Sequence, residues 1–211
     1  MSESAAIDHL EFSASDGASL VGDVAIPDAP RLATIICHPH PQYGGNRHNN
    51  VVTALFDALP TAGIAALRFD FRSEFTGGSG ERLDALAAID VVATTLPDVP
   101  IVALGYSFGA MIALSLDDER VTALGLIAPP LAMSPGVAPP RVPTVVLTPA
   151  HDQFSPPAVS EPIVAGWSER TQVAIEHQTI EMADHSFVGH TADVARRIVA
   201  WLDSHVDSLS G

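Results

Sequence analysis

The sequence predicts an α/β protein with a mainly parallel sheet of about seven to eight strands and helices on both faces. Two observations support this fold class. Short apolar segments alternate with segments of helical spacing through most of the chain, which is typical of a parallel sheet. Before the first such unit, residues 8–13 and 19–26 alternate in polarity around Asp16-Gly17 and predict an antiparallel hairpin. A chain of 211 residues is long enough for one domain over 1–211 with a sizeable core.

Each predicted element in the first half follows from a local pattern. Residues 32–37 and 64–69 are short apolar runs, as expected of buried strands. Between them, apolar side chains at helical spacing predict a helix over about 48–61, with Asn46 as its N-cap. The same spacing predicts a second helix over about 81–96.

The second half of the chain continues this alternation. The remaining strands are predicted over 100–105, 121–127, 144–148 and 173–180, with helices ending near residue 116 and spanning about 157–167 and 189–206. Residues 128–142 are rich in proline and lack helical spacing, so they predict a loop.

The amino-acid composition disfavours some classes of binding partner. Lys and Arg number 10 against 25 Asp and Glu, a net charge of −15 that disfavours nucleic acid and anionic membranes. Five prolines between Val121 and Pro140 exclude a membrane helix from the longest uncharged stretch, so no membrane insertion is expected. Residues 1–8 lack the features of a signal peptide, and the single cysteine, Cys37, allows no intramolecular disulfide. These features are typical of a cytoplasmic protein.

Residues 105–109, Gly-Tyr-Ser-Phe-Gly, lie between an apolar strand and a helix rich in small residues. This is the context of a nucleophile elbow, a turn so tight that it needs glycine two residues on either side of the serine. Such a turn holds the Ser107 hydroxyl at the carboxyl edge of the sheet, above the N-terminus of the helix. Ser107 is therefore the candidate nucleophile.

A serine hydroxyl needs a base, and the base needs an orienting acid. After an elbow of this type, the acid comes first in the chain and the histidine second. Asp152 follows the predicted strand over 144–148, and His185 lies between the last strand and the last helix. Because the carboxyl ends of parallel strands meet at one edge of the sheet, Ser107, Asp152 and His185 are expected to converge.

Other interpretations of these residues stay open. Asp152 could only cap a turn or the helix that follows, and His185 could be a surface histidine. The alternative bases are His177 and His190, and the alternative acids are Glu176, Glu181 and Asp184. Asp184 ranks second as the acid, because the side chains of neighbouring residues usually diverge.

An oxyanion hole needs two N–H donors. One is expected from Phe108, the residue after the nucleophile. The other is expected from the loop after the first parallel strand, where Pro39 and Pro41 have no N–H and His40 lies between them. His38 and His40 form a His-x-His pair that could suggest a metal site. No acidic or cysteine cluster accompanies the pair, so neither a metal nor a cofactor is predicted.

These motifs resemble the α/β-hydrolase superfamily, in particular small capless members of the dienelactone-hydrolase-like and esterase-like kind. The resemblance rests on His-Pro-His-Pro-x-Tyr-Gly-Gly at 38–45, Phe-Asp-Phe-Arg-Ser at 69–73, Gly-Gly-Ser-Gly-Glu at 77–81 and Ala-Asp-His-x-Phe at 183–187. It covers nearly the whole chain and implies the α/β-hydrolase fold. Since the predicted loop over 128–142 leaves no room for a lid, no cap domain is expected.

The chain departs from this family pattern in two respects. Dienelactone hydrolases proper have a cysteine in the elbow where this chain has Ser107, so their lactone chemistry is not carried over. Ser73-Glu74 replaces the usual Arg-Gly, which leaves the role of Arg72 open. We favour a structural ion pair for Arg68 or Arg72 over binding of a substrate carboxylate.

The resulting hypothesis is a serine hydrolase that cleaves a carboxylic ester or thioester of a small or exposed acyl group through an acyl-Ser107 intermediate. An acyltransferase that uses the same three residues is the alternative, and a non-catalytic binding protein of the same fold is the third. Candidate pocket walls are Tyr43, Phe75, Tyr106 and Phe154, each of which could equally belong to the core. The expected partner is a small-molecule ester, and no oligomeric state is indicated.

Overall fold

The computed structural model describes residues 5–209 and contains one eight-stranded sheet. The strands are β1 (Ile7–Ser13), β2 (Ser19–Ala25), β3 (Leu32–Cys37), β4 (Ile64–Phe69), β5 (Ile101–Tyr106), β6 (Val121–Ile127), β7 (Thr144–His151) and β8 (Ile175–Asp184). They lie in the order β1-β2-β4-β3-β5-β6-β7-β8. The β1–β2 and β2–β4 pairs are antiparallel and all other pairs are parallel, which confirms the predicted fold class.

In the described part of the chain, five α-helices cover the two faces of the sheet. They are α1 (Asn50–Thr61), α2 (Ser79–Thr95), α3 (Phe108–Leu114), α4 (Pro157–Arg170) and α5 (Thr191–Leu209). Helices α1 and α5 pack in one apolar cluster, and α2, α3 and α4 pack in the other. Successive residues of β3 alternate between these clusters: Ile36 lies with α1 and α5, whereas Ile35 and Cys37 lie with α2 and α3.

Between the first and last strands of this sheet, residues 7–184, no lid is inserted. Residues 128–142 form a loop with one short 3-10 turn, Leu131–Met133, as the proline-rich composition predicted. The carboxyl ends of the parallel strands therefore have no cap domain above them. Within residues 5–209, none of the helices combines the length and apolar character needed to cross a membrane.

Several boundaries differ from the sequence-based prediction. The N-cap of α1 is Asn49 and not Asn46, because the Asn49 side chain accepts the N–H of Val51 at 3.0 Å. Asn46 instead accepts the N–H of His48 and closes the turn before the helix. Residues 1–4, part of the segment predicted to lack a signal peptide, and residues 210–211, the end of the predicted domain, lie outside the described residues.

Candidate active site

Ser107 is the single residue between β5 and α3, and its backbone is strained, with φ 55° and ψ −118°. Its N–H donates to the Ile127 carbonyl at 2.8 Å, which ties the turn to β6. A Cβ at position 105 would lie 2.2 Å from the Gly109 oxygen, and a Cβ on Gly109 would lie 2.2 Å from the Cys37 oxygen. Only glycine fits at these two positions, as the sequence predicted.

The carboxyl ends of β5, β7 and β8 bring three predicted residues together. The Ser107 Oγ lies 2.9 Å from the His185 Nε2, and the His185 Nδ1 lies 2.9 Å from the Asp152 Oδ2. Because a carboxylate only accepts, the His185 proton lies on Nδ1 when the ring is neutral, and Nε2 is left to accept the Ser107 hydroxyl. Asp152 and His185 are buried, whereas Ser107 is half-buried.

Asp152 both orients His185 and closes a turn. Its Oδ1 accepts the backbone N–H groups of Phe154 at 2.8 Å and Ser155 at 3.1 Å, while Oδ2 is left for the imidazole. Asp152 can therefore cap the turn and orient His185 at the same time, because one carboxylate oxygen does each. The turn fixes the direction of the carboxylate before the histidine is engaged.

Within residues 5–209, none of the alternative bases and acids makes a side-chain hydrogen bond to Ser107 or His185. His177 hydrogen-bonds through Nε2 to the Thr148 hydroxyl in the sheet, and His190 lies in the turn before α5. The exposed Asp184 carboxylate accepts from the N–H and hydroxyl of Ser186. Glu176 accepts from the Gln178 amide on β8, and Glu181 is exposed on the same strand.

The backbone N–H groups of His40 and Phe108 are the two expected oxyanion donors. No hydrogen-bond partner for the N–H of His40 or of Phe108 is found among residues 5–209. Their side-chain rings are in contact, with centroids 4.9 Å apart. The loop that carries His40 lies against the start of α3, since a Cβ on Gly109 would be 2.5 Å from the His38 oxygen. The residues that carry the two expected oxyanion donors are therefore neighbours.

Aromatic side chains flank the site on two sides. The ring of His40 contacts Tyr43, Phe75 and Phe108, with centroids 4.9, 4.4 and 4.9 Å away. Tyr43 is 87% exposed, and Phe75 is half-buried. On the other side, Phe154 is 47% exposed and its ring meets that of His185 edge-on at 4.6 Å.

Tyr106 is not a pocket wall but belongs to the core, which was the alternative left open by the sequence. It is 4% exposed and belongs to the core that α1 and α5 cover. Its hydroxyl donates to the His185 carbonyl at 2.6 Å. Burial, together with the nearby Asp152 charge, raises the pKa of Tyr106, so the hydroxyl keeps the proton that it donates. Alternate residues of β5 face opposite sides of the sheet, and this pattern could have predicted that the Tyr106 ring is buried. It could not have predicted the hydrogen bond of the Tyr106 hydroxyl.

The remaining polar candidates have structural partners. Arg68 pairs with Asp23, and Arg72 pairs with Asp84 and Asp16, as favoured from the sequence. His38 is buried, and both of its ring nitrogens are hydrogen-bonded to the protein backbone. For the described part of the chain, no group of three or more His, Cys, Asp or Glu residues could hold a metal ion.

Similar proteins are found for nearly the whole chain, although no protein-family model matches it. An uncharacterised protein of Rickettsia prowazekii (strain Madrid E) is 31% identical over 195 residues, which cover 83% of this chain and 79% of that protein. A structure of a protein of unknown function from Agrobacterium tumefaciens, assigned to the α/β hydrolases, has a TM-score of 0.86 and 29% identity, over 95% of this chain and 97% of that one. An α/β serine hydrolase without a lid from Xanthomonas campestris has a TM-score of 0.83 and 26% identity, over 94% of each chain.

Proposed function

This chain belongs to the same family as the uncharacterised Rickettsia prowazekii protein and is a hydrolase of the lidless α/β kind, and from that premise we propose that it is a serine esterase. The substrate is a carboxylic ester or thioester with a small or exposed acyl group, and the reaction passes through an acyl-Ser107 intermediate. Within the superfamily, the chain belongs with the small members that carry the His-Pro-His-Pro loop. Its cellular site is the cytoplasm, where a lone buried cysteine stays reduced.

One observation carries the proposal: the continuous hydrogen-bond chain from the Ser107 Oγ through the His185 imidazole to the Asp152 carboxylate, with 2.9 Å at each link. A nucleophile within hydrogen-bond reach of a base, and a base oriented by an acid, is the arrangement that activates a serine hydroxyl. A protein that kept only the fold would have no need of this alignment.

The first half-reaction forms the acyl-enzyme. The Nε2 of His185 takes the proton of the Ser107 hydroxyl as Oγ attacks the acyl carbon. The N–H groups of His40 and Phe108 hold the negative oxygen of the tetrahedral intermediate. His185 then gives its proton to the leaving oxygen or sulfur, and the bond from the acyl carbon to that atom breaks.

The second half-reaction releases the acid. Water gives a proton to the Nε2 of His185 and attacks the acyl carbon. The bond from the acyl carbon to the Ser107 Oγ then breaks, and His185 returns the proton to Oγ. The half-buried serine, without a lid above it, favours water over another alcohol as the acceptor. Hydrolysis is therefore preferred here over acyl transfer.

The test compares Ser107→Ala with Ser115→Ala, a serine whose hydroxyl only donates to the Ile112 carbonyl at the end of α3. Turnover of p-nitrophenyl acetate should fall by at least about 10³-fold in S107A and stay within about twofold in S115A. Labelling by a fluorophosphonate should be lost in S107A alone. Equal turnover and labelling in S107A and the unmodified protein would disprove the proposed nucleophile.

A further inference from the structure

His38 is a buried histidine with both ring nitrogens engaged. Its Nδ1 lies 2.6 Å from the Pro39 carbonyl oxygen, and its Nε2 lies 3.0 Å from the backbone nitrogen of Phe71. A carbonyl oxygen can only accept and a backbone N–H can only donate, so the ring carries one proton, on Nδ1. Burial lowers the pKa of His38, which keeps the ring in this neutral form.

The Pro39 carbonyl belongs to the same peptide unit as the His40 N–H. Among the described residues there is no cis peptide bond, so this C=O and this N–H point in opposite directions. A hydrogen bond that fixes the Pro39 oxygen therefore also fixes the direction of the His40 N–H. Donation from His38 further polarises the peptide unit, which makes the His40 N–H a stronger donor.

Other contacts of the loop also restrict the orientation of the peptide unit between Pro39 and His40. The Gly45 N–H donates to the His40 carbonyl, and a Cβ on Gly45 would lie 2.0 Å from the Pro39 oxygen. The ring of His38 also packs on Phe71, with centroids 4.6 Å apart. The segment after β4 thus holds His38, and His38 holds the peptide that carries the N–H.

We propose that His38 is a positioning residue that aims the His40 N–H at the oxyanion of the acyl-transfer steps. The inference rests on the proposed function, because it assigns the His40 N–H to the tetrahedral intermediate. It adds a residue that does not touch the substrate and acts only through the peptide bond between Pro39 and His40.

Two substitutions separate the hydrogen bonds of His38. In His38→Asn, the side-chain amide can occupy the position of Nδ1 and donate to the Pro39 oxygen, but nothing accepts from Phe71. In His38→Gln, the amide oxygen can occupy the position of Nε2 and accept from Phe71, but the donor to Pro39 is lost. Each variant loses one buried hydrogen bond, so a purely structural role predicts similar losses of stability and activity for both.

The positioning role predicts an asymmetric result with p-nitrophenyl acetate. Removal of one oxyanion donor typically costs about 10²–10³ in kcat, so a donor that is only misdirected should cost about 10- to 100-fold. H38Q should lose that factor in kcat with KM within about twofold, and H38N should stay within about fivefold of the unmodified protein. The Tm should fall by a similar few degrees in both.

His177→Asn is the matched control, since it removes a histidine hydrogen bond, that to Thr148, far from the loop. It should lower the Tm and leave kcat within about twofold. Equal kcat losses in H38N and H38Q, or an unchanged kcat in H38Q, would overturn the inference and leave the proposed function intact. No turnover by the unmodified protein would overturn both.

Discussion

His185 is held by four contacts. Its Nδ1 is bound to Asp152, its Nε2 to Ser107, and its backbone carbonyl to the Tyr106 hydroxyl. The ring of Phe154 packs against the imidazole in a T-shaped contact, with centroids 4.6 Å apart. Because these contacts come from the ends of β5 and β7 and from the loop after β7, the base is in position before any substrate arrives. Such preorganisation is what allows proton transfer without a reorganisation cost.

Exchange of Asp152 for asparagine tests the orienting role of the carboxylate. The amide of Asp152→Asn can turn its NH₂ toward His185, which stabilises the wrong tautomer and leaves Nε2 protonated. We expect kcat/KM for p-nitrophenyl acetate to fall by about 10³- to 10⁴-fold. Asp184→Asn is the control, since this exposed carboxylate binds only Ser186 and the nearby backbone; it should change kcat/KM by less than about twofold. A larger loss in D184N than in D152N would reverse the assignment of the acid.

At the scale of elements, the start of α2 depends on one buried carboxylate. Glu81 is fully buried and accepts from the Thr76 N–H at 2.9 Å, the Thr76 hydroxyl at 2.8 Å and the Gly78 N–H at 2.8 Å. Burial opposes its ionisation, but these hydrogen bonds outweigh burial and lower the pKa of Glu81 below its ordinary value of 4.5. The carboxylate therefore closes the turn that precedes the helix.

Glu81→Gln should destabilise the protein in a pH-dependent way. At neutral pH the loss should be about 1–3 kcal/mol, because hydrogen bonds to a charged acceptor are replaced by weaker ones. Since the folded-state pKa of Glu81 is lowered, its ionised form contributes stability above pH 4.5, and that contribution is lost as the pH falls through the lowered pKa. Denaturant unfolding from pH 7 to pH 3 should show the difference between E81Q and the unmodified protein shrinking. The exposed Glu169→Gln should show no such trend.

Sequence patterns predicted which elements exist better than where they end. Apolar runs identified the strands β3 to β7, because a strand buried on both faces admits few polar residues. The end of β8 was wrong: it extends to Asp184 past Met182, which has φ 61°. The start of α2 was also wrong by two residues, since Glu81 closes the turn from inside the helix. Both errors depend on contacts that hydrophobic spacing does not record.

The candidate site could be predicted where chain order and strand ends determine it. Ser107, Asp152 and His185 each follow a strand, so topology alone brings them to one edge. The roles of Tyr106 and His38 could not be predicted, because they depend on the direction of a hydroxyl and of one peptide plane. Those directions are set by packing between distant segments, as in the bond from Phe71 to His38.

At the scale of the whole molecule, most of the positively charged side chains form ion pairs. The 10 basic residues are all arginine, and eight of them pair with a carboxylate. Arg82 and Arg170 bind backbone carbonyls on helices away from the site. Exposed carboxylates flank the candidate site: Glu74 precedes Phe75, and Asp184 precedes His185. An anionic substrate therefore meets repulsion and no free arginine at this edge.

This charge distribution predicts that the protein hydrolyses a neutral ester more efficiently than an anionic ester of the same length. With p-nitrophenyl butyrate and mono-p-nitrophenyl succinate, kcat/KM normalised to hydroxide hydrolysis should favour the neutral ester by about tenfold or more at 10 mM salt. The preference should shrink several-fold at about 0.5 M salt, since the Debye length falls to a few ångströms. Combined Glu74→Gln and Asp184→Asn should raise kcat/KM for the succinate ester and leave that for the butyrate ester unchanged. A preference that does not respond to salt or to these substitutions would trace the selectivity to the aromatic walls and not to charge.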